Sequence, residues 1–404
     1  MMKRCFILAI LFASSVSASA QSPEVWRKLR SRYDAVWTQT DDGIILVNRG
    51  GVWVTNPGVG KNGRYGYVDT LGREIVPPSY DNGNRFHNGF AVVGKSGKYG
   101  AIDRKGRIVV PVEWDDLGDF VCGVFVAQTD AGNAPRFSLV DTTGHVTPLE
   151  YDFCATEFSC GLAPAGFGEY EAPEPPPPGI VRTNPKKKFV GKYGFVTTDG
   201  RLRIPVQYDE ARDFEDDGVA QVGIQGKYYV KWGFIDTTGR VVVPCSYYSV
   251  NGFRKDRALV SKVVAGGNLA FGYIDRKGQE VIPCQYDEAT SFEYTNTWVG
   301  RDKDGEMAYT LINRNGIPVL EYEVYRLQDG GKYGHAVAAR PDPSGLLRFG
   351  ILNNAGRILV PFEYDIITIF SDLDPNTGET LVRAIAMKDG CEYRLDISVR
   401  RKAQ

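Results

Sequence analysis

Histidine is nearly missing from this chain: His87, His145 and His335 are the three present among 404 residues. General acid–base catalysis near neutral pH leans on that side chain. None of the three stands in a Ser, Cys or Asp pattern that points to a nucleophile. Cysteine is sparse as well, seven residues with no C-x-x-C pair. That excludes a disulfide-dense scaffold and argues against a zinc or redox centre. Charge of one sign is also lacking, with 48 basic against 49 acidic residues, so no bias steers the chain to nucleic acid or an anionic membrane. No Gly-rich phosphate loop precedes a helix. The reading is therefore of a protein that is not an enzyme and has no catalytic, cofactor-binding or metal-ligating residues.

What is present begins with a leader. Lys3 and Arg4 precede an apolar run, Phe6 to Phe12, and small residues end in Ala18-Ser19-Ala20. This is the pattern of a signal peptide over residues 1–20, with cleavage before Gln21. The run is too short to span a bilayer, and no later run is long enough, so no transmembrane segment is expected in the mature chain. Loss of Lys3 and Arg4 leaves 46 basic and 49 acidic residues, a net charge of −3. Export to the periplasm or the cell exterior permits disulfides. Of the remaining cysteines, Cys154 and Cys160 share a loop and form the first candidate pair, whereas Cys245 and Cys284 hold equivalent sites in successive units.

Gly (46), Tyr (22) and Phe (20) are abundant, and they recur in order. The pattern is aromatic-Gly-apolar-Val/Ile-Asp-x-x-Gly-Arg-x-Val/Ile-Val/Ile-Pro-x-x-Tyr-Asp. Clear copies start at Tyr65-Gly66, Tyr99-Gly100, Tyr193-Gly194, Trp232-Gly233, Phe271-Gly272 and Phe349-Gly350; degraded ones run from Phe137 to Asp152 and from Tyr309 to Tyr322. The turn glycines Gly72, Gly106, Gly144, Gly200, Gly239, Gly278, Gly316 and Gly356 are spaced by 34, 38, 56, 39, 39, 38 and 40 residues. A period near 38 means stacked units that cannot bury their apolar faces alone.

Each unit reads as a hairpin. Gly233-Phe234-Ile235-Asp236 is strand-forming, Asp-x-x-Gly turns with the glycine at positive φ, and Arg240 to Val243 returns until Pro244. A third strand, such as Gly218 to Val222, follows a Phe-x-x-Gly signal. The repeated Asp69, Asp103, Asp141, Asp236 and Asp275 are turn residues rather than calcium ligands, because they lack the clustering of a calcium loop. The aromatics read as the core between units, with a ligand-stacking platform as the sharper alternative.

The units resemble those of the WG-repeat (KWG-repeat) proteins of bacteria, on Lys98-Tyr99-Gly100, Lys192-Tyr193-Gly194 and Lys231-Trp232-Gly233 and on the turn that follows each. The resemblance covers residues 64 to 365 and implies a β-repeat scaffold with no catalytic motif. Ser138 and Thr310 stand where Gly is expected, and Thr197, Asn313 and Asn353 where Asp is.

An insertion at about 166–190 holds Pro175 to Pro178 and Lys186 to Lys188 and reads as an exposed loop. The fragments Ile44 to Val47 and Tyr393 to Asp396 read as two halves of one unit, expected to lie in the same or adjacent sheet of a closed ring. The expected fold is all-β, a tandem array of about eight hairpin units over residues 21–404, propeller-like, with an open twisted β-solenoid as the alternative. The expected function is a non-catalytic envelope scaffold that binds protein or cell-envelope glycan, not nucleic acid. The alternatives are an enzyme with a loop-built site at a propeller centre, or a purely structural envelope protein. N-terminal sequencing of the secreted chain should begin at Gln21; a chain still beginning at Met1 outside the cytoplasm rejects the leader.

Overall fold

A strand such as Gly233-Phe234-Ile235 is apolar at consecutive positions, so both of its faces must be covered. The structure, a computed structural model, meets that demand by stacking sheet on sheet. It describes residues 23–37, 43–53, 60–131, 134–171, 188–328, 334–373 and 380–397; the leader lies outside these. Phe234 packs with Val250, Phe253 and Val260 of the following sheet, while Ile235 packs with Phe195, Ile204 and Tyr208 of the preceding one. Tyr67 and Val68 divide between opposite faces in the same way, as do Ile102 and Ala101.

Nine antiparallel sheets succeed one another along the described residues, beside one short separate hairpin. The chain forms two compact units, residues 1–157 with 198–200, and residues 158–197 with 201–404. The first holds three sheets, and the second holds the long strands of the other six. In the fifth sheet β1 (Glu210–Phe214), β2 (Val219–Gln225), β3 (Val230–Asp236) and β4 (Val241–Tyr247) pair in that order. Such four-stranded meanders are the blades of a propeller-like, all-β array.

Sequence reading finds three strands per unit, and the structure adds a fourth. In most blades it has two residues, as in Asn82–Gly83, Asp116–Leu117, Ser249–Val250 and Glu288–Ala289. Two residues cannot display an alternating pattern. Because most blades start directly after Tyr-Asp, each joins the tail of one sequence unit to the hairpin of the next. The first sheet accordingly joins Ala35–Val36 and Ile44–Arg49 to Arg64–Asp69 and Glu74–Tyr80. Ile44 to Val47 thus pairs with Gly66 to Asp69, and Tyr393 to Asp396 pairs with Arg383 to Ala386. The two fragments do not share a sheet: each pairs with strands of its own part of the chain, the first in a four-stranded sheet and the second in a three-stranded one.

All eight turn glycines hold φ between +76° and +85°, as the hairpin reading requires. Asp236 Oδ1 accepts the backbone N–H groups of Thr238 (2.9 Å) and Arg240 (3.0 Å) and the Thr238 hydroxyl (2.6 Å). That hydroxyl, helped by the two amides, holds the Asp236 carboxyl below the usual range. Asn313 and Asn353 accept the equivalent amides without a charge, which is why Asn substitutes for Asp there. Thr197 works differently, donating its hydroxyl to the Arg201 carbonyl at 2.9 Å.

The motif glycine has a separate cause. Between the pairs Trp232↔Tyr247 and Phe234↔Val243, β3 advances two residues and β4 four. The surplus forms a bulge at Pro244 whose backbone presses on Gly233. Gly66, Gly100, Gly194, Gly272 and Gly350 meet the same bulge. A Cβ on Gly272 would lie 2.6 Å from both the Ile282 carbonyl oxygen and the Cys284 nitrogen. Where Ser138 replaces the glycine, Ser138, Leu139 and Val140 pair with Pro148, Thr147 and Val146 in unbroken register. Where Thr310 replaces it, strand Glu306–Asn313 lies at the edge of a three-stranded sheet, with isolated bridges from Tyr309 to Val324 and from Ile312 to Pro318.

Two elements differ from the sequence reading. Helix α1 (Pro23–Arg32) was not anticipated. Its Leu29, with Tyr33 just beyond it, packs on Ile45, Val47 and Val68 and covers a face of the first sheet. Part of the expected loop insertion is strand: Gly166 to Glu171 pairs with Lys188 to Tyr193. Residues 172–187, with the proline run, lie outside the described residues.

Gly272→Ala should lower the urea-unfolding free energy by ~1–3 kcal/mol, the usual cost of overpacking. Ser138→Gly, facing no bulge, should change it by under ~1 kcal/mol. Equal losses at the two sites discard the bulge account.

Candidate interaction surface

The scaffold uses up most of each unit's recurring residues. The Phe that precedes the tip is buried in five units, where Phe86, Phe158, Phe214, Phe253 and Phe292 are each at most 5% exposed, and half-buried at Phe120. Four of them meet a motif-strand ring of the preceding sheet, in Tyr67–Phe86, Phe195–Phe214, Phe234–Phe253 and Tyr273–Phe292, with centroids 4.8–5.1 Å apart. The aromatic after Pro pairs across the sheet with the motif aromatic, as in Tyr65↔Tyr80 and Trp232↔Tyr247. These rings serve as core, the reading preferred over a stacking platform. The Asp of Tyr-Asp closes the next hairpin: Asp81, Asp209 and Asp287 accept the backbone N–H of Ser96, Gln225 and Asp302 at 2.6–2.8 Å. The Lys before the motif aromatic pairs with that Asp, in Lys98–Asp115 and Lys192–Asp209 at 2.6 Å. Where Tyr248 replaces the Asp, Lys231 has no such carboxylate to meet.

Freedom remains at the tips that follow the buried Phe. His87-Asn88-Gly89-Phe90 is a tight turn with Asn88 and Gly89 at φ 51° and 88°. Cys122-Gly123 and Cys160-Gly161 repeat that backbone at φ 53° and 94°, and 52° and 75°. Positive φ at both central positions is the hairpin turn that matches strand twist. That backbone carries different side chains in His87-Asn88, Val121-Cys122 and Ser159-Cys160; the Arg254–Arg257 turn has only Lys255 at positive φ (63°), and the Glu215–Val219 turn is one residue longer with only Gly218 there (78°).

In the second compact unit two of these tips border an open cleft of about 450 Å³ lined by Phe214, Phe253 and six charged side chains. Arg254 reaches Glu215 at 3.2 Å and Glu293 at 3.7 Å, and Arg276 reaches Asp217 at 2.9 Å. Arg276 also donates to the Lys255 carbonyl at 2.9 Å and stacks over Phe253 at 5.0 Å. Asp216 and Lys255 form no ion pair among the described residues. In the first unit a cleft of about 380 Å³ is lined by Trp37, Tyr65, Asn84, Arg85, His87 and Asp119. His87 thus lies on a rim, the backbone N–H of His145 serves the Asp141 turn, and His335 is buried at a strand start. Among the described residues no group of three or more His, Cys, Asp or Glu is placed to hold a metal ion, and no helix is long and apolar enough to cross a membrane.

The expected Cys154–Cys160 disulfide is absent, and both are free thiols. Cys154 is 1% exposed and burial pushes its thiol up to about 12, whereas Cys160 is exposed at a tip. Sharing a loop in sequence does not make two residues share an orientation.

The "WG containing repeat" family matches residues 65–99, 99–131, 193–228, 232–262, 271–295 and 349–372. The stretches carrying Ser138 and Thr310 are outside those matches. Among curated proteins none matches. Similar solved structures include the WD40 domain of coronin from Toxoplasma gondii, 11% identical at a TM-score of 0.27 over 70% of this chain and 81% of that one. The uncharacterized protein lmo1340 from Listeria monocytogenes EGD-e is 10% identical at a TM-score of 0.28, over 71% and 95%.

In the native protein a thiol reagent should modify Cys122, Cys160 and Cys391 first and Cys154 last, because the reactive thiolate needs exposure. Peptide mapping that finds Cys154 labelled as fast as Cys160 contradicts the burial.

Proposed function

The chain belongs to the WG-repeat family, and from that premise we propose that it is a non-catalytic interaction scaffold of the bacterial envelope, exported to the periplasm or cell exterior. It binds protein or cell-envelope glycan through the tips that follow the buried Phe of each unit. One observation carries the reading: the tips occupy one place in the blade and vary their side chains, in three of them on one backbone. The cleft at Glu215, Asp216, Asp217, Arg254, Lys255 and Arg276 gathers charges of both signs, a pattern suited to a polar partner of matching charge pattern. Most of these charges are already paired with each other, so they present a rigid rim. Asp216 and Lys255 are the groups left to meet a partner.

The test uses the double variant Asp216→Lys/Lys255→Glu, which reverses those two charges and leaves the Arg254 and Arg276 pairs intact. The wild-type chain should retain a specific protein or glycan from envelope extract. The variant should retain it at least about tenfold more weakly, a loss of ~1.4 kcal/mol. Equal retention rejects the tips as the binding face. Absence of any specific partner rejects the scaffold reading, and a cytoplasmic location on cell fractionation rejects the envelope assignment.

A further inference from the structure

In the last sheet β5 (Ile366–Leu373), β6 (Thr380–Lys388) and β7 (Cys391–Asp396) pair in that order, and the sheet stops at three strands. β7 takes the place of the motif strand, whose outer edge in a complete blade meets the Pro strand. Among the described residues no strand pairs with that edge. β6 and β7 are joined by Asp389-Gly390 at φ 51° and 77°, with Lys388 opposite Cys391. In a two-residue turn of this kind the flanking residues form a hydrogen-bonded pair. The backbone groups of Cys391, Tyr393 and Leu395 therefore face β6, and those of Glu392 and Arg394 face outward. The side chains of Glu392 and Arg394 are 51% and 85% exposed, and Tyr393 is 43% exposed.

Natural edge strands usually block pairing with charged side chains, above all Lys, or with prolines or bulges. Here the outward positions carry opposite charges two residues apart, so the edge is complementary to itself. We propose that β7 pairs antiparallel with β7 of a second copy of this chain, centred on Tyr393. In that register Glu392 stands opposite Arg394 of the second copy and, by twofold symmetry, the reverse. Both are hydrogen-bonded pairs, because both residues direct their backbone groups outward. A register centred on Arg394 sets two guanidinium groups face to face, and one centred on Glu392 sets two carboxylates. Either is disfavoured, since like charges directly opposite destabilise a ladder. Arg394 Nε already lies 3.4 Å from Glu392 Oε1 within the strand, and that exposed contact is weak enough to be replaced. This pairing is independent of the tip surface proposed above.

Sedimentation equilibrium of the full chain should show a concentration-dependent mass of two chains. Glu392→Arg and Arg394→Glu should each weaken the association at least about tenfold, and the double swap Glu392→Arg/Arg394→Glu should restore it. Leu395→Cys supplies an independent readout. In the proposed register position 395 faces Cys391 of the second copy, at a non-hydrogen-bonded site within disulfide reach. Within one strand the two positions are ~13 Å apart and cannot bridge. Oxidation of the Leu395→Cys variant should therefore give a covalent dimer that joins the introduced thiol to Cys391 of the other copy, identified by peptide mapping. A monomer at every concentration overturns the proposal, as does a dimer indifferent to both single reversals. A monomer whose Arg394 amide resists hydrogen exchange overturns it as well, and shows the edge covered by residues 398–404 of the same chain.

Discussion

The blade depends on one close approach, that of the bulged strand at Pro to the motif glycine. Removing the Cβ lets the Val243 carbonyl and Pro244 lie against Gly233. The bulge takes up two residues, and only with that offset does Tyr247 arrive opposite Trp232. In a unit that ends in Tyr-Asp the next residue is then in place to accept a backbone amide of the following hairpin, as Asp209 does from Gln225. The glycine, the proline, the two aromatics, the aspartate and the preceding lysine thus answer to one geometry. Their joint appearance in sequence reflects that coupling. Ser138 shows the converse: with a Cβ in place, the partner strand Val146–Pro148 runs straight, and no Tyr-for-aromatic pairing is needed to close the blade.

The second organising fact is phase. Since most blades begin after Tyr-Asp, the boundaries between sequence units fall inside a sheet, and the chain links neighbours by hydrogen bonds as well as by packing. The Phe at or shortly after the end of the short first strand then inserts beneath the preceding sheet, as Phe292 does against Tyr273 at 4.8 Å. Each such ring is worth ~1.5–3 kcal/mol of burial, and an edge-to-face contact adds ~0.5–1.5 kcal/mol. Helix α1 covers the face of the first sheet that carries Ile45, Val47 and Val68. An amphipathic helix suits that place because its Val25, Trp26 and Leu29 fall on one stripe.

Legibility in the sequence followed the same physics. The eight turns were readable because positive φ leaves a glycine at a fixed spacing, and the hairpins because Pro and β-branched residues bracket them. The short first strand was not, since two residues such as Ser249-Val250 carry no period. Phase was not readable either, because a repeat in sequence can be cut at any point. The helix was legible in principle, with Pro23 and Glu24 at its start and Arg30 and Arg32 in its last turn. Ten residues beside a strand-rich chain gave that signal little weight. For the insertion, the prolines drew attention from Phe167, Glu169, Phe189 and Val190, whose pairing extends the hairpin beyond the sheet body.

The interaction surface was less legible than the fold for a reason that lies in the repeat itself. A recurring residue announces itself, and here nearly every recurring residue is spent on the blade. Recognition falls to positions that differ from unit to unit, where a single sequence offers no contrast between a useful side chain and an idle one. Structure supplies that contrast through backbone geometry. Cys122 and Cys160, like Asn88, sit at positive φ, a conformation that costs a non-glycine residue ~1–2 kcal/mol relative to the ordinary regions. Asn tolerates it through its own short polar side chain, but Cys has no such compensation. At these tips strand twist sets the turn, so the side chain is tolerated rather than selected for the backbone. That leaves the identity of the tip residues free to answer to something outside the fold.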